Sequence, residues 1–393
     1  MKRIAAKYLY PLTSTEPVVN GFVEMEEDGT VIRTGVCADP AAEPVYYDGA
    51  VVPGFVNAHC HIELSYMKGL FRKGTGMAGF IDQINELRDT KSMEEKVRDL
   101  TVAMDSLWEQ GVVAMADISN CADSFAVKAR HPMYTRTFLE VFGTEPEDCD
   151  AVMDGVRELK KVADGFGIDA APTPHACYTM SPELVTAVSV EGLKSGFLSF
   201  HSEETEEEEE MLKYGSGKMW ENRVKAGMSV PPVTGKSSLL YFIDRLLTGR
   251  SAPFDEHILL VHECCMDQEG IDAVKEVMNH PFVAVCPLSN LFIHNTLPPI
   301  DLMRRNGLKV CVGTDSLSSN DDLNIVDELF CLQRNFPEVP LGELFTWASR
   351  NGAEFLARPE FGTLEPGKRP GLVFIDNLDA DGRLTAASKS CRL

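Results

Sequence analysis

Two histidines one residue apart close the apolar run Val51-Val52-Pro53-Gly54-Phe55-Val56-Asn57-Ala58-His59-Cys60-His61. In an extended strand, residues two apart point to the same side, so both imidazoles can meet one divalent ion at the strand's carboxyl end. Three further apolar runs end in groups able to bind a cation or move a proton. Gly196-Phe197-Leu198-Ser199-Phe200 leads to His201, another run ends in Val261-His262, and Val310-Cys311-Val312-Gly313-Thr314 leads to Asp315. A bound divalent ion lowers the pKa of its water to roughly 7, so these residue types point to hydrolysis by activated water.

Side chains so far apart in sequence need a scaffold that gathers strand ends. Short apolar runs predict eight strands, at Val51–Asn57, Val112–Ser119, Tyr134–Phe142, Ile168–Pro172, Phe197–His201, His257–His262, Phe282–Pro287 and Leu308–Asp315. Between them lie amphipathic stretches with helical spacing, such as Glu94–Glu109, Val152–Ala163, Pro182–Val190, Asp267–Val277 and Val326–Arg334. Eight such units close into a (β/α)8 TIM barrel, whose chemistry sits at the carboxyl ends of the strands. The chain ends read differently. Residues 1–50 alternate strand-like pieces with turns at Glu27-Asp28-Gly29 and Ala38-Asp39-Pro40, and Leu372–Asp376 reads as one more strand after Pro366-Gly367. The expected architecture is therefore α/β: a barrel over 53–360, and a small composite β-sandwich domain from 1–52 and 361–393.

The order Pro53-Gly54-Phe55-Val56-Asn57-Ala58-His59-x-His61, His201-x-x-Glu204, His262 and Gly313-Thr314-Asp315 resembles the amidohydrolase superfamily. Within it the chain is most similar to the aminohydrolase branch of S-adenosylhomocysteine/methylthioadenosine deaminases, guanine deaminases and triazine chlorohydrolases. Pro174-His175-Ala176-Cys177-Tyr178-Thr179, Cys286-Pro287-Leu288-Ser289-Asn290, Ser318-Ser319-Asn320 and Gly362–Lys368 extend the likeness over nearly the whole chain. The resemblance implies a metal set of His59, His61, His201 and Asp315. Binuclear relatives carry a lysine near the fourth strand's end. Here that strand reads Ile168-Asp169-Ala170-Ala171-Pro172-Thr173-Pro174, so one ion is expected. Zinc suits three nitrogens and one oxygen, with iron or manganese as alternatives. The resemblance further implies that Asp315 takes the water's proton, Glu204 shuttles protons to substrate and leaving group, and His262 steadies the attacking oxygen. His175 is expected to line the substrate pocket. Glu63, Arg136 and Glu140, near strand ends, are further candidates for substrate contact.

These readings predict hydrolytic deamination of an aminated heterocycle, purine-like or an adenosine derivative, with release of ammonia. Hydrolysis of an amide, a cyclic imide or a chloro-substituted ring by the same site is the alternative. A barrel that binds without turnover is a third reading, opposed by the complete set of ligands.

Other signals have plainer explanations. Glu206–Glu210 reads as a solvated charge run favoured by a helix start. Gly74-Thr75-Gly76-Met77-Ala78-Gly79 fits a dinucleotide fingerprint literally but opens no βαβ unit, and is expected to be a mobile loop by the site. Gly235-Lys236-Ser237 lacks the leading glycine of a phosphate loop, because position 230 is Val. With 37 Lys plus Arg against 60 Asp plus Glu, the net charge of −23 disfavours nucleic acid and anionic membranes as partners. Eleven cysteines, an odd number with no Cys-x-x-Cys pair, read as reduced thiols. No secretory leader or membrane-length apolar run is present, so a cytoplasmic enzyme acting on a small molecule is expected, with a homodimer suggested by analogy alone.

Overall fold

The apolar run that ends in the paired histidines serves two sheets. In the computed structural model, which describes residues 1–393, it divides at Gly54. Strands β1 (Lys2–Leu9), β2 (Val18–Met25), β3 (Val31–Val36) and β4 (Tyr46–Pro53) come before the break, and β5 (Phe55–Cys60) after it. The single strand expected over Val51–Asn57 is thus two. A Cβ at Gly54 would lie 2.3 Å from a Val113 methyl and 2.5 Å from the Pro370 carbonyl, so only glycine lets the chain cross between the layers here.

The barrel strands are β5, β6 (Val112–Ser119), β7 (Tyr134–Val141), β8 (Asp169–Pro174), β9 (Phe197–Ser202), β10 (Phe254–His262), β11 (Met278–Val285) and β12 (Lys309–Val312). They pair in parallel in two runs of four, β5 to β8 and β9 to β12, each in chain order. Two seams join the runs. Between β12 and β5, the amides of Thr314 and Asp315 both donate to the His59 carbonyl, at 3.0 and 3.1 Å. Between β8 and β9, Pro172 and Pro174 offer no N–H, and the Thr173 hydroxyl substitutes. It accepts from the Ser199 amide at 2.9 Å and donates to the Ser199 carbonyl at 2.5 Å, while the His201 amide reaches the His175 carbonyl at 2.9 Å. This is the (β/α)8 arrangement.

Helices follow the strands with their N-termini fixed by side chains. Ser92, Ser181, Thr205, Asp267 and Asn324 each accept from an amide in the first helical turn, each cap contributing about 1 kcal/mol. Inside the barrel, Phe138, Phe282 and Phe355 are buried and packed together, with ring centroids 5.5 to 6.0 Å apart. Each fully buried phenylalanine stabilises by roughly 1.5 to 3 kcal/mol. Phe355 comes from the short helix Arg350–Phe355, and its carbonyl accepts from His257 Nδ1.

The chain ends meet in one six-stranded sheet, ordered β14-β13-β4-β1-β2-β3, where β13 is Leu372–Ile375 and β14 is Ser390–Arg392. β13 runs antiparallel to β4, with Leu372 opposite Pro53 and Ile375 opposite Ala50. All eleven cysteines are free thiols. No helix is long and apolar enough to cross a membrane.

Candidate active site

β5 carries His59 as its penultimate residue, and His61 follows its end. His201 lies in β9, His262 is the last residue of β10, and Asp315 comes three residues after β12. Parallel strands bring all five to one rim. The Nε2 atoms of His59, His61 and His201 lie 3.2 to 3.3 Å from one another. Asp315 Oδ1 is 3.8 Å from His59 Nε2 and 3.6 Å from His61 Nε2. All four side chains are buried. Burial pulls His59 and His201 well below the usual imidazole range, which keeps the lone pairs available. Tetrahedral zinc bonds to histidine of 2.0–2.1 Å place neighbouring ligand atoms roughly 3.3 Å apart. The donor set and its spacing therefore fit one divalent ion.

The backbone is forced into the left-handed region at four residues around this cluster, at His262 (φ +76°), Glu263 (φ +52°), Asp315 (φ +54°) and Glu203 (φ +49°). Such conformations cost about 1 to 3 kcal/mol each in non-glycine residues and gather at functional sites.

Around the four groups lies a layer of hydrogen bonds. Ser289 and Ser319 hydroxyls both donate to Asp315 Oδ2, at 2.5 and 2.8 Å. That leaves Oδ1 toward the imidazoles. Burial raises the Asp315 pKa, but facing His61 and His262 together with the two serines outweigh it, and the carboxyl ends below its ordinary value. Glu204 is buried with Oε1 3.6 Å from His262 Nε2. Burial first, then the charges of Asp315 and Glu208, push its pKa well above the carboxylate range. His175 Nδ1 meets the Thr179 hydroxyl at 2.8 Å, and burial lowers its pKa to about 3.

Glu63, Glu140, His175, His201, Glu204, His262 and Asp315 line one cavity of about 470 Å3. Glu63 and Glu140 are linked through Asn120, whose amide donates to Glu63 Oε1 at 2.8 Å and whose side chain donates to Glu140 Oε2 at 3.0 Å. Glu140 Oε1 lies 3.4 Å from His201 Nδ1, on the ring edge away from the ion position. Burial raises the Glu63 pKa to about 7.

Arg136 corrects an expectation. It sits near the start of β7, where its guanidinium donates to Asp169 Oδ1 and Ser195 Oγ, both at 2.8 Å, and stacks 3.9 Å above the Phe197 ring. These partners begin β8 and β9, so Arg136 serves the opposite end of the barrel and does not reach the cavity. The expected loop at Gly74–Gly79 is also corrected. Gly76–Leu87 is a helix, and its Met77, Phe80, Ile81 and Ile84 form an apolar cavity wall. Nor is the glutamate run wholly solvated. Glu208 and Glu209 are buried in the helix Glu206–Tyr214, where they accept from the amides of Glu204 and Ser238, both at 2.9 Å.

Sequence reasoning missed several supporting groups. Ser289, Asn290 and Ser319 were visible only as members of motifs. Asn120 had no signal, and neither did the fully buried Lys128–Asp117 pair, whose Asp117 Oδ1 accepts the Ile62 amide just beyond His61.

The model of the Amidohydrolase family matches residues 50–391. The chain belongs to the amidohydrolase family. Among curated proteins, this amidohydrolase is 27% identical over 344 residues to an adenosine deaminase of Helicobacter pylori, covering 85% of this chain and 80% of that protein. Among solved structures, it is similar to Helicobacter pylori aminofutalosine deaminase in complex with methylthio-coformycin, with a TM-score of 0.79, 23% identity, and coverage of 98% and 94% of the two chains. Atrazine chlorohydrolase from Arthrobacter aurescens, complexed with zinc, superposes with a TM-score of 0.70 at 18% identity, covering 95% and 86%. At these identities the two structural likenesses concern the fold.

Proposed function

We propose that this amidohydrolase removes an exocyclic amine from an adenosine derivative by hydrolysis, with a single zinc ion held by His59, His61, His201 and Asp315. One observation carries the reading: a buried carboxyl group, Glu204, stands beside a convergent set of imidazoles and 3.6 Å from His262, where burial pushes its pKa up. Amine hydrolysis needs an acid of this kind, because the ring must accept a proton as the carbon is attacked and the amine must leave protonated. The names of the relatives support adenosine chemistry, and that of the chlorohydrolase supports zinc.

When bound, the ion supplies the Lewis acidity that makes water deprotonable near neutral pH. Asp315 takes the water's proton on Oδ1, since Oδ2 already holds two serine hydroxyls. Glu204 gives its proton to the ring nitrogen next to the attacked carbon as the new C–O bond forms. Now a carboxylate, Glu204 takes the hydroxyl proton of the tetrahedral carbon and passes it to the amine nitrogen as the C–N bond breaks and the C=O bond forms; ammonia leaves, and the proton held by Asp315 restores Glu204 for the next turnover. His262 steadies the attacking oxygen through Nε2. Glu63, Glu140 and His175 bind polar parts of the substrate, and the helical wall of Met77, Phe80, Ile81 and Ile84 covers its apolar parts. For this function we divide the chain into a catalytic barrel at 53–360 and a supporting β domain from 1–52 and 361–393.

The test is ammonia release from adenosine, 5′-methylthioadenosine, S-adenosylhomocysteine, guanine and aminotriazines by metal-loaded protein. Turnover of an adenine nucleoside is expected. Silence on every amine, together with hydrolysis of an amide or chloro-ring, overturns the proposal.

A further inference from the structure

The motif Cys286-Pro287-Leu288-Ser289-Asn290 opens the helix Pro287–Ile293 directly after β11, and two of its side chains reach the site. Ser289 serves Asp315. Asn290, buried with no exposed surface, places Nδ2 3.1 Å from His262 Nδ1. An amide nitrogen donates only, so the imidazole nitrogen facing it must present a lone pair. Turning the amide round would let its oxygen accept instead, but would leave both N–H donors of a buried group without partners. Orphaned buried donors are rarer than under-used carbonyl oxygens, and Asn290 Oδ1 is the atom without a partner.

We infer that Asn290 is a positioning residue that fixes the proton of His262 on Nε2. This rests on the proposed function and deepens it by assigning the ring hydrogen of His262. With Nε2 protonated, His262 is a donor and cannot act as the base. Its Nε2 lies 3.6 Å from Glu204 Oε1, beyond hydrogen-bond range, so the N–H stays free for the attacking oxygen. The arrangement leaves proton transfer to the substrate with Glu204 and makes His262 a donor to the attacking oxygen.

The experiment uses protein labelled with 15N-histidine and loaded with zinc as a diamagnetic probe, with the His262 ring assigned by His262→Gln. The expected wild-type spectrum has a proton on Nε2 and none on Nδ1. Asn290→Asp keeps the side chain's volume but offers only an acceptor, so Nδ1 gains a proton. Its kcat is expected to fall roughly 10- to 100-fold, the usual range for losing such a supporting contact, with metal content and KM near wild type. Asn290→Leu removes the donor without supplying an acceptor, and is expected to lie between Asn290→Asp and wild type in kcat. A proton on Nδ1 in the wild type overturns the inference, as does wild-type kcat in Asn290→Asp. Equal loss in both variants, tracking melting temperature, also overturns it by showing a merely structural role. Ring protonation is read without substrate, so failure of every amine to react sinks the proposed function and leaves this measurement standing.

Discussion

Arg136 and Glu140 lie four residues apart on β7, both buried, yet they belong to different worlds. Arg136, near the strand's start, is enclosed by Asp169, Ser195 and the face of Phe197. Phe138, between them, joins the phenylalanine packing inside the barrel. Glu140, at the carboxyl end, shares Asn120 with Glu63 and keeps one oxygen without a hydrogen-bond partner. Arg136 also keeps Nε without a partner, so the contrast lies in what each end faces: an ion pair and a stacked ring at the start, a cavity at the carboxyl end. One end holds the ring together, and the other leaves valences open for a ligand.

That contrast can be broken most severely at the metal cluster. His59→Ala removes one of the three imidazole nitrogens that converge on one point. Metal content and turnover should both collapse, activity by more than about 1,000-fold, read by elemental analysis alongside the ammonia assay. Retained metal stoichiometry would dissolve the ligand assignment. Glu204→Gln comes next. A fall in kcat of about 100- to 10,000-fold is expected with metal unchanged, since a proton carrier is lost and not a ligand. Unchanged turnover would remove Glu204 from the chemistry.

The opposite end should respond in the opposite currency. Arg136→Met loses two hydrogen bonds and the ring contact and should lower stability by about 1 to 3 kcal/mol, with kcat and KM unmoved. A selective rise in KM would place Arg136 in the substrate path after all.

The smallest expected effect is a slope. Burial raises the Glu208 pKa from 4.5 to about 8, so the folded protein holds this proton more tightly than the unfolded chain. Its stabilising contribution is complete below the unfolded value and declines as pH climbs from there through the folded value. Glu208→Gln, which cannot ionise, should flatten the decline of melting temperature between about pH 5 and 8. A slope identical to wild type would mean that Glu208 is already ionised in the fold.

How much of this was written in the residues themselves varies with the distance over which each contact acts. Strand polarity and a two-residue alternation were enough to pair His59 with His61, because both facts are local. The eight barrel strands were legible for the same reason. Arg136 misled because a strand-end position does not state which end. Val51–Asn57 read as one strand because hydrophobicity records burial and not which sheet supplies it, and the division at Gly54 depends on Val113 and Pro370. The helix at Gly76–Leu87 was hidden behind Gly74 and Gly76, whose positive φ belongs to the turn that enters it. The burial of Glu208 and Glu209 leaves no mark on residue type, because the groups that draw them inward are the backbone amides of Glu204 and Ser238. Ser289 and Asn290 act across the barrel rim on groups 26 and 28 residues away, and Ser319 on one four residues away.

The stitch between β12 and β5 also orders events in time. His59 and Asp315 are joined through the same carbonyl that closes the ring, so no stretch of chain shorter than residues 59–315 possesses the full chelate. A nascent or partly unfolded molecule offers only fragments of it, chiefly the two neighbouring imidazoles. Tight metal capture thereby becomes a certificate of completed assembly, awarded when the first and last staves of the barrel have met.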